Sequence, residues 1–299
     1  MRMQWIKSFF LGLVTVVVAL FCAACAKEKS VEVSSLSVWC TVQPQAYFVE
    51  RIGGDLVAVE VLVRPGQSPE MYAPSAAQVG QLARADVYFG IGMPIEAPLF
   101  ARMQSSMAGV HIVQTGGEIA APCDHAGHDH GHHDHDENDP HIWLDPVQMV
   151  DVVELMCAAL TEVQPESADV FRGNADALIA ELVALDGAIQ DQLAPYAGRA
   201  FFINHPALGH FSERYGLVQW SIEQSGTAPS AGRIADLIRQ AREAQVGAIY
   251  TQPEFGRTTA TILADALGVP VVEVNLLPTD YISGLAEVAN ALEGGFGDE

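Results

Sequence analysis

Histidine is the residue to begin with. Six of the ten histidines in this 299-residue chain, His125, His128, His130, His132, His133 and His135, fall inside one stretch, Asp124 to Asp139, where Asp and Glu fill most other places. Nothing there is more apolar than Ala126, so the segment cannot pack into a core and reads as a solvated loop. Neutral imidazole is a strong ligand for borderline cations such as Zn²⁺, and loose spacing lets several rings converge on one ion. Such a loop selects transition metals without choosing among them. The bland alternatives are an engineered tag or a solubilising linker; the internal position and the interspersed acids argue against a tag. Cys123, beside the loop, can assist capture.

Four further residues stand where ligands collect in parallel α/β sheets, outside the carboxyl ends of strands. Glu70 follows a strand at Leu56–Val63. His141 follows one at Val110–Val113 and precedes a helix. His205 directly follows Ala200–Asn204, and Asn275 ends Val269–Val274. Two come from each half of the chain. A single histidine at a strand end also serves as a cap or a packing residue, so the set matters more than any member.

These strands belong to a regular alternation. Leu36–Thr41 reads as a strand, Pro44–Ile52 as a helix, Ala76–Ala85 as a helix, Asp86–Gly90 as a strand and Pro94–Gln104 as a helix. The second half repeats the rhythm, with helices expected over Pro206–Tyr215, Ala231–Ala244, Thr258–Leu267 and Tyr281–Leu292, and strands over Leu217–Ile222 and Gly247–Thr251. Strands alternating with helices imply parallel sheets covered by helices. Between the halves, Pro165–Leu193 keeps Leu178, Leu182, Leu185 and Ile189 at helical spacing and would span ~40 Å. The expected fold is therefore α/β: two parallel-sheet lobes joined by a long rigid backbone helix, with limited hinge motion and a metal site in the interlobe cleft. The expected divisions are a signal peptide (1–24), a tether (25–35), an N-terminal lobe (36–164, with the histidine-rich loop 124–139), a linking helix (165–194) and a C-terminal lobe (199–299).

The N-terminus is a leader. Arg2 and Lys7 precede an apolar run from Phe9 to Phe21 that is too short for an ordinary spanning helix. Ala23-Ala24-Cys25 then resembles a lipobox, with Cys25 as the lipidated residue, although Cys22 stands where Leu is usual; plain cleavage to a free protein is the alternative. The formal charge is −22, and since the leader carries only two positive charges the remainder stands at −24. That balance argues against nucleic acid, whose phosphates need a basic face, and suits a collector of cations. Cys40 and Cys157 lie in apolar runs and read as buried small hydrophobes.

The motifs resemble the metal-specific solute-binding proteins of bacterial ABC importers, the group serving zinc and manganese. The resemblance runs from about residue 36 to 295. It is carried by Pro65-Gly66-Gln67-Ser68-Pro69 leading to Tyr72-Ala73-Pro74, LARADVYFGIG at 82–92, DPHIWLDP at 139–146 after the histidine-rich insertion, NHPALGHFSERYGL at 204–217, APSAGRIADLI at 228–238 and IYTQPEF at 249–255. It implies two lobes joined by a backbone helix, a metal held between them, delivery to a membrane permease, and no chemical reaction; a monomer is expected. His141 and His205 match family ligands. Glu70 occupies the place of a family histidine, and Asn275 that of a family aspartate. A carboxylate at the first shifts preference slightly toward Mn²⁺ or Fe²⁺, and an amide oxygen at the second is a poor zinc ligand. Asp280 is a substitute, though Thr279-Asp280 also reads as a helix N-cap. His210 is either a spare ligand or a helix residue.

The sequence thus points to an exported, lipid-anchored protein, facing the periplasm or the cell exterior, that binds Zn²⁺ (with Mn²⁺ or Fe²⁺ as alternatives) and passes it to an ABC importer permease. Because imidazole must be neutral to ligate, binding is expected to weaken as pH falls through ~6.5. Two other readings compete. Three ligands plus water also suit a zinc hydrolase, but there is no HExxH, and Glu223 or Glu254 would have to serve as base. A metal-dependent adhesin is the other.

Overall fold

The structure, a computed structural model, describes residues 35–103, 108–116, 139–223 and 229–297. The leader, Cys25 and the loop histidines 125–135 lie outside the described residues.

The first sheet contains β1 (Leu36–Cys40), β2 (Val57–Val61), β3 (Val87–Gly90) and β4 (His111–Gln114), all parallel, in the order β2-β1-β3-β4. The second contains β5 (Ala200–Ile203), β6 (Val218–Ser221), β7 (Ile249–Thr251) and β8 (Val271–Glu273), again parallel, in the order β6-β5-β7-β8. The two sheets thus have the same topology, each with its first strand inside and its second at the edge. Burial follows position. Inner strand β3 is buried throughout, whereas edge strand β2 alternates half-buried and exposed residues, as expected where both faces of an inner strand are covered by helices.

The helices are α1 (Gln43–Gly53), α2 (Ala76–Leu82), α3 (Glu96–Met103), α4 (Pro146–Val163), α5 (Ala168–Leu193), α6 (Gly209–Tyr215), α7 (Ala231–Glu243), α8 (Thr258–Leu267) and α9 (Tyr281–Phe296). The long linking helix is thus α5, preceded by a separate 3₁₀ turn at Pro165–Ser167. Its 26 residues rise about 39 Å. Phe171, Ala175, Leu178, Leu182, Leu185, Ile189 and Leu193 form its buried stripe, the three-and-four spacing of an apolar face.

That stripe belongs to one apolar core that includes β1 and β3 of the first lobe, β5 of the second, and α1, α4 and α9. Two smaller clusters, around Leu62–Tyr88–Leu99 and Phe202–Leu237–Leu263, fill the opposite faces of the two sheets. The lobes also touch directly. Tyr281, at the start of α9, packs against Phe48 of α1 with ring centroids 4.6 Å apart. The linking helix is tied to the first lobe as well, Asn174 of α5 donating to the Ile52 carbonyl of α1 at 2.9 Å.

Two helix starts matter for the site. Asp145 caps α4 by accepting the Val147 N–H at 2.8 Å. The α6 helix begins three residues later than the expected Pro206, at Gly209. The intervening backbone has other partners: the Ala207 N–H bonds the His205 carbonyl at 2.9 Å and the Leu208 N–H bonds Gln219 Oε1 at 2.7 Å. The turn this makes keeps His205 at the sheet end instead of inside a helix.

Candidate metal centre

Three of the four strand-end candidates come together. Glu70 descends from the loop after β2, His141 precedes the short turn Ile142–Leu144 that leads into α4, and His205 follows β5. His205 Nε2 lies 3.1 Å from Glu70 Oε1 and 3.4 Å from His141 Nε2, and the third edge, His141 Nε2 to Glu70 Oε1, is 3.9 Å. The point in their plane equidistant from these corners lies about 2.0 Å from each, the bond length of Zn²⁺ to nitrogen and oxygen, and the mean edge is close to the roughly 3.3 Å of an ideal zinc tetrahedron, which a slight contraction of the 3.9 Å edge would reach. Among the described residues these three are the one group of His, Cys, Asp and Glu side chains placed to share an ion.

Both imidazoles are aimed by a carboxylate. Asp139 Oδ1 stands 2.6 Å from His141 Nδ1 and also accepts the His141 backbone N–H at 3.0 Å. Glu223 Oε1 stands 2.5 Å from His205 Nδ1. A proton held on Nδ1 leaves Nε2 with the lone pair toward the centre, and such partners fix ring orientation and raise ligand basicity. The next layer is also built. Gln252 clamps the His205 backbone, donating to its carbonyl at 2.7 Å and accepting its N–H at 3.3 Å. His210 is not a spare ligand: its Nε2 lies 3.1 Å from the Asp139 carbonyl oxygen and its Nδ1 3.0 Å from Gln148 Nε2, so it holds Asp139 in place. Gly209 completes this arrangement, since a Cβ there would collide with Asp139 Oδ2.

The walls are apolar. The His141 ring meets Trp143 edge-on at 5.1 Å, and Phe255 stacks on His205 at 4.8 Å. Trp143 donates its indole N–H to the Leu276 carbonyl at 2.8 Å, joining the two lobes behind the site. Both histidines are 7% exposed, while the Glu70 side chain is 30% exposed and forms the open edge. The cavity in front of the three ligand atoms has about 20 Å³, room for a single water-sized group.

Electrostatics follow the packing. Burial opposes charge on His205, but hydrogen bonds to Glu223 and Glu70 outweigh it, and its pKa is raised to about 9. From the sequence, binding is expected to weaken as pH falls through ~6.5; the raised pKa of His205 puts the onset for this residue higher. The hydrogen bond from His205 holds the Glu70 carboxyl below its ordinary range. Burial pushes Asp139 up, yet its bonds to His141 leave it below its ordinary value. Burial raises Glu254 at the rim.

Asn275 does not join the others. It is exposed, its Oδ1 accepts the Leu277 backbone N–H at 3.0 Å in a local turn, and it lines other hollows than the one holding the histidines. Asp280 is the cap of α9, accepting the Ser283 N–H at 3.0 Å, and is exposed. Asp139 and Glu223 are the functional positions that sequence reasoning missed as orienting groups. A signal existed for each: Asp139 precedes His141 by two residues, and Glu223 follows β6, the strand paired with the one that carries His205.

Two α/β lobes set around a small, buried set of converging ligand atoms are the build of a protein that holds an ion. Known proteins agree. The chain is 30% identical over 267 residues to the zinc-binding lipoprotein AdcA of Streptococcus pneumoniae, matching 87% of this chain but 53% of that protein, so it spans about half the length of this relative. It is 25% identical over 276 residues to the manganese-binding lipoprotein MntA of Halalkalibacterium halodurans, covering 89% of this chain and 88% of the relative. A crystal structure of ZnuA superposes with a TM-score of 0.80 at 28% identity, over 88% of this chain and all of that one. The chain belongs to the ZnuA family, periplasmic component A of the zinc-uptake complex, whose model matches residues 38–295.

Proposed function

We propose that this protein holds Zn²⁺ between Glu70, His141 and His205 and delivers it to the permease of an ABC importer, from a lipid-anchored position at Cys25 outside the cytoplasm. The observation that carries the reading is the triangle of ligand atoms with edges of 3.1, 3.4 and 3.9 Å, sized for a zinc ion. Water in the adjoining cavity completes the tetrahedron, in the place that Asn275 was expected to fill. Two imidazoles and one carboxylate at low coordination number favour Zn²⁺ over Mn²⁺, which prefers more oxygen ligands in an octahedron. Zinc in the names of the family and of AdcA supports the same choice, and MntA makes manganese the competitor to test.

Binding rather than hydrolysis is favoured by the small cavity in front of the ligand atoms, and of the two candidate bases, Glu223 and Glu254, the first is engaged with His205. The histidines 125–135 are assigned to capture: a loosely held ion there exchanges into the site. A competition titration with a chromophoric zinc chelator tests the reading, using the protein with and without residues 124–138 and with His141 and His205 both changed to Ala. Loss of tight binding in the double variant is the expected result. Tight binding that survives in the double variant lacking the loop overturns the site.

A further inference from the structure

The small cavity holding the ligand atoms adjoins two outer hollows. One, of about 160 Å³, lies along Val42, Arg64 and Thr279; the other, of about 510 Å³ and more open, lies along Arg64, Gln67 and Tyr72. Among the described residues Glu254 alone lines all three spaces. Its carboxylate is half-buried and makes no ion pair among the described residues, and the neighbouring wall of the inner cavity is formed by Ala207, Phe255 and Leu276.

A divalent cation sheds hydration water readily only where another donor replaces it. Arg64 lines both outer hollows and repels a cation there; between them and Glu70 the inner cavity offers, besides Glu254, only the Gln252 amide, already bonded to the His205 backbone, and the Ser68 hydroxyl, a buried oxygen without a hydrogen-bond partner, which is a weak ligand while protonated. We propose that Glu254 is a transit ligand, a carboxylate that binds the divalent cation briefly on its way between the outer cleft and the Glu70–His141–His205 set. The proposal rests on the reading that those three residues hold the ion. A single partly solvated carboxylate suits the role: it attracts the cation, binds it more weakly than two imidazoles and a carboxylate together, and lets it go in either direction. A group that lowers the barrier of a passage speeds entry and exit alike.

The test is stopped-flow mixing of the full chain with one equivalent of Zn²⁺, followed by tryptophan emission, to which Trp143 on His141 contributes. Release is then driven by excess chelator. Glu254→Gln keeps the shape and removes the charge, and its thermal melt checks the fold. The expected result is that association slows by about tenfold, the size of a focusing charge's effect on encounter, and that release slows by the same factor because the ion crosses the same barrier in both directions, so that their ratio is conserved. Rates within roughly twofold of the parent overturn the proposal, as does faster release with unchanged association, the pattern of a lost ligand to the held ion. His141→Ala in the same experiment separates the two ideas. If it binds as the parent does, the site itself is wrong and the transit role falls with it. If it fails to bind while Glu254→Gln keeps parental rates, the transit role alone is wrong.

Discussion

Zinc binding should expel a proton at a pH where free histidine has none to give. His205 ligates through Nε2 and must give up the proton that its pKa of about 9 keeps on the ring. At pH 7.5 a group of that pKa is about 97% protonated, whereas an unperturbed histidine is about 10% protonated. Zinc entering the site therefore releases about one proton from His205 instead of about 0.1, and the apparent affinity climbs about tenfold, or 1.4 kcal/mol, per pH unit from ~7 to ~8.5. Calorimetric titration in buffers of different ionisation enthalpy reads the proton count directly, in a variant lacking residues 124–138 so that loop histidines do not contribute. Glu223→Gln is the internal control. The Glu223 hydrogen bond is the largest influence raising His205, so its loss lowers the release at pH 7.5. A parent protein that releases about 0.1 proton with an affinity flat above ~7 would refute the reasoning.

Four further outcomes follow. Asp139→Asn should weaken zinc binding by about 10- to 100-fold, the usual cost of losing a partner that orients a ligand, while Asn275→Ala should leave competition-titrated affinity unchanged, because that side chain is committed to the Leu277 N–H. Leu182→Ala, at a fully buried position on α5, should cost about 2–5 kcal/mol in urea unfolding; a smaller loss would mean that the core around α5 collapses onto the gap. Without added metal, stability should fall on both sides of neutrality. The raised pKa of His205 stabilises the fold fully below its unfolded value near 6.5, and that contribution is lost as pH rises through about 9. The lowered pKa of Glu70 stabilises it above the unfolded value near 4.5, and that contribution is lost as acid takes the carboxyl through its folded pKa. Melting temperatures across pH 3–10, with zinc chelated, check both limbs.

The alternation of strands and helices was legible because each element carries its own periodicity, and Thr258–Leu267 was read at its true bounds. Pro206 was misread as a helix start because apolar spacing continues into α6, while the hydrogen bonds that hold Ala207 and Leu208 out of the helix come from His205 and from Gln219, a residue on another strand. The site divides in the same way. His205 stands at a strand end, and Glu70 and His141 in loops beyond the carboxyl ends of β2 and β4, where topology alone sends ligands. The carboxylates behind the histidines depend on pairing in space: Glu223 reaches His205 across 18 positions of sequence because β5 and β6 are neighbours. Asn275 looked equivalent to the others by position, but a short amide side chain also bonds its own backbone two residues on, and here it does so. His210 was ambiguous for the same reason: a histidine one turn past a ligand is placed either to ligate or to brace, and only the contact with Asp139 decides.

The most direct measurement is anomalous diffraction at the zinc edge from crystals of the chain loaded with one equivalent of Zn²⁺. A single strong peak about 2.0 Å from Glu70 Oε1, His141 Nε2 and His205 Nε2, with water as the fourth ligand, is the predicted result. A peak elsewhere in the ordered chain, with those three side chains unligated, contradicts the account.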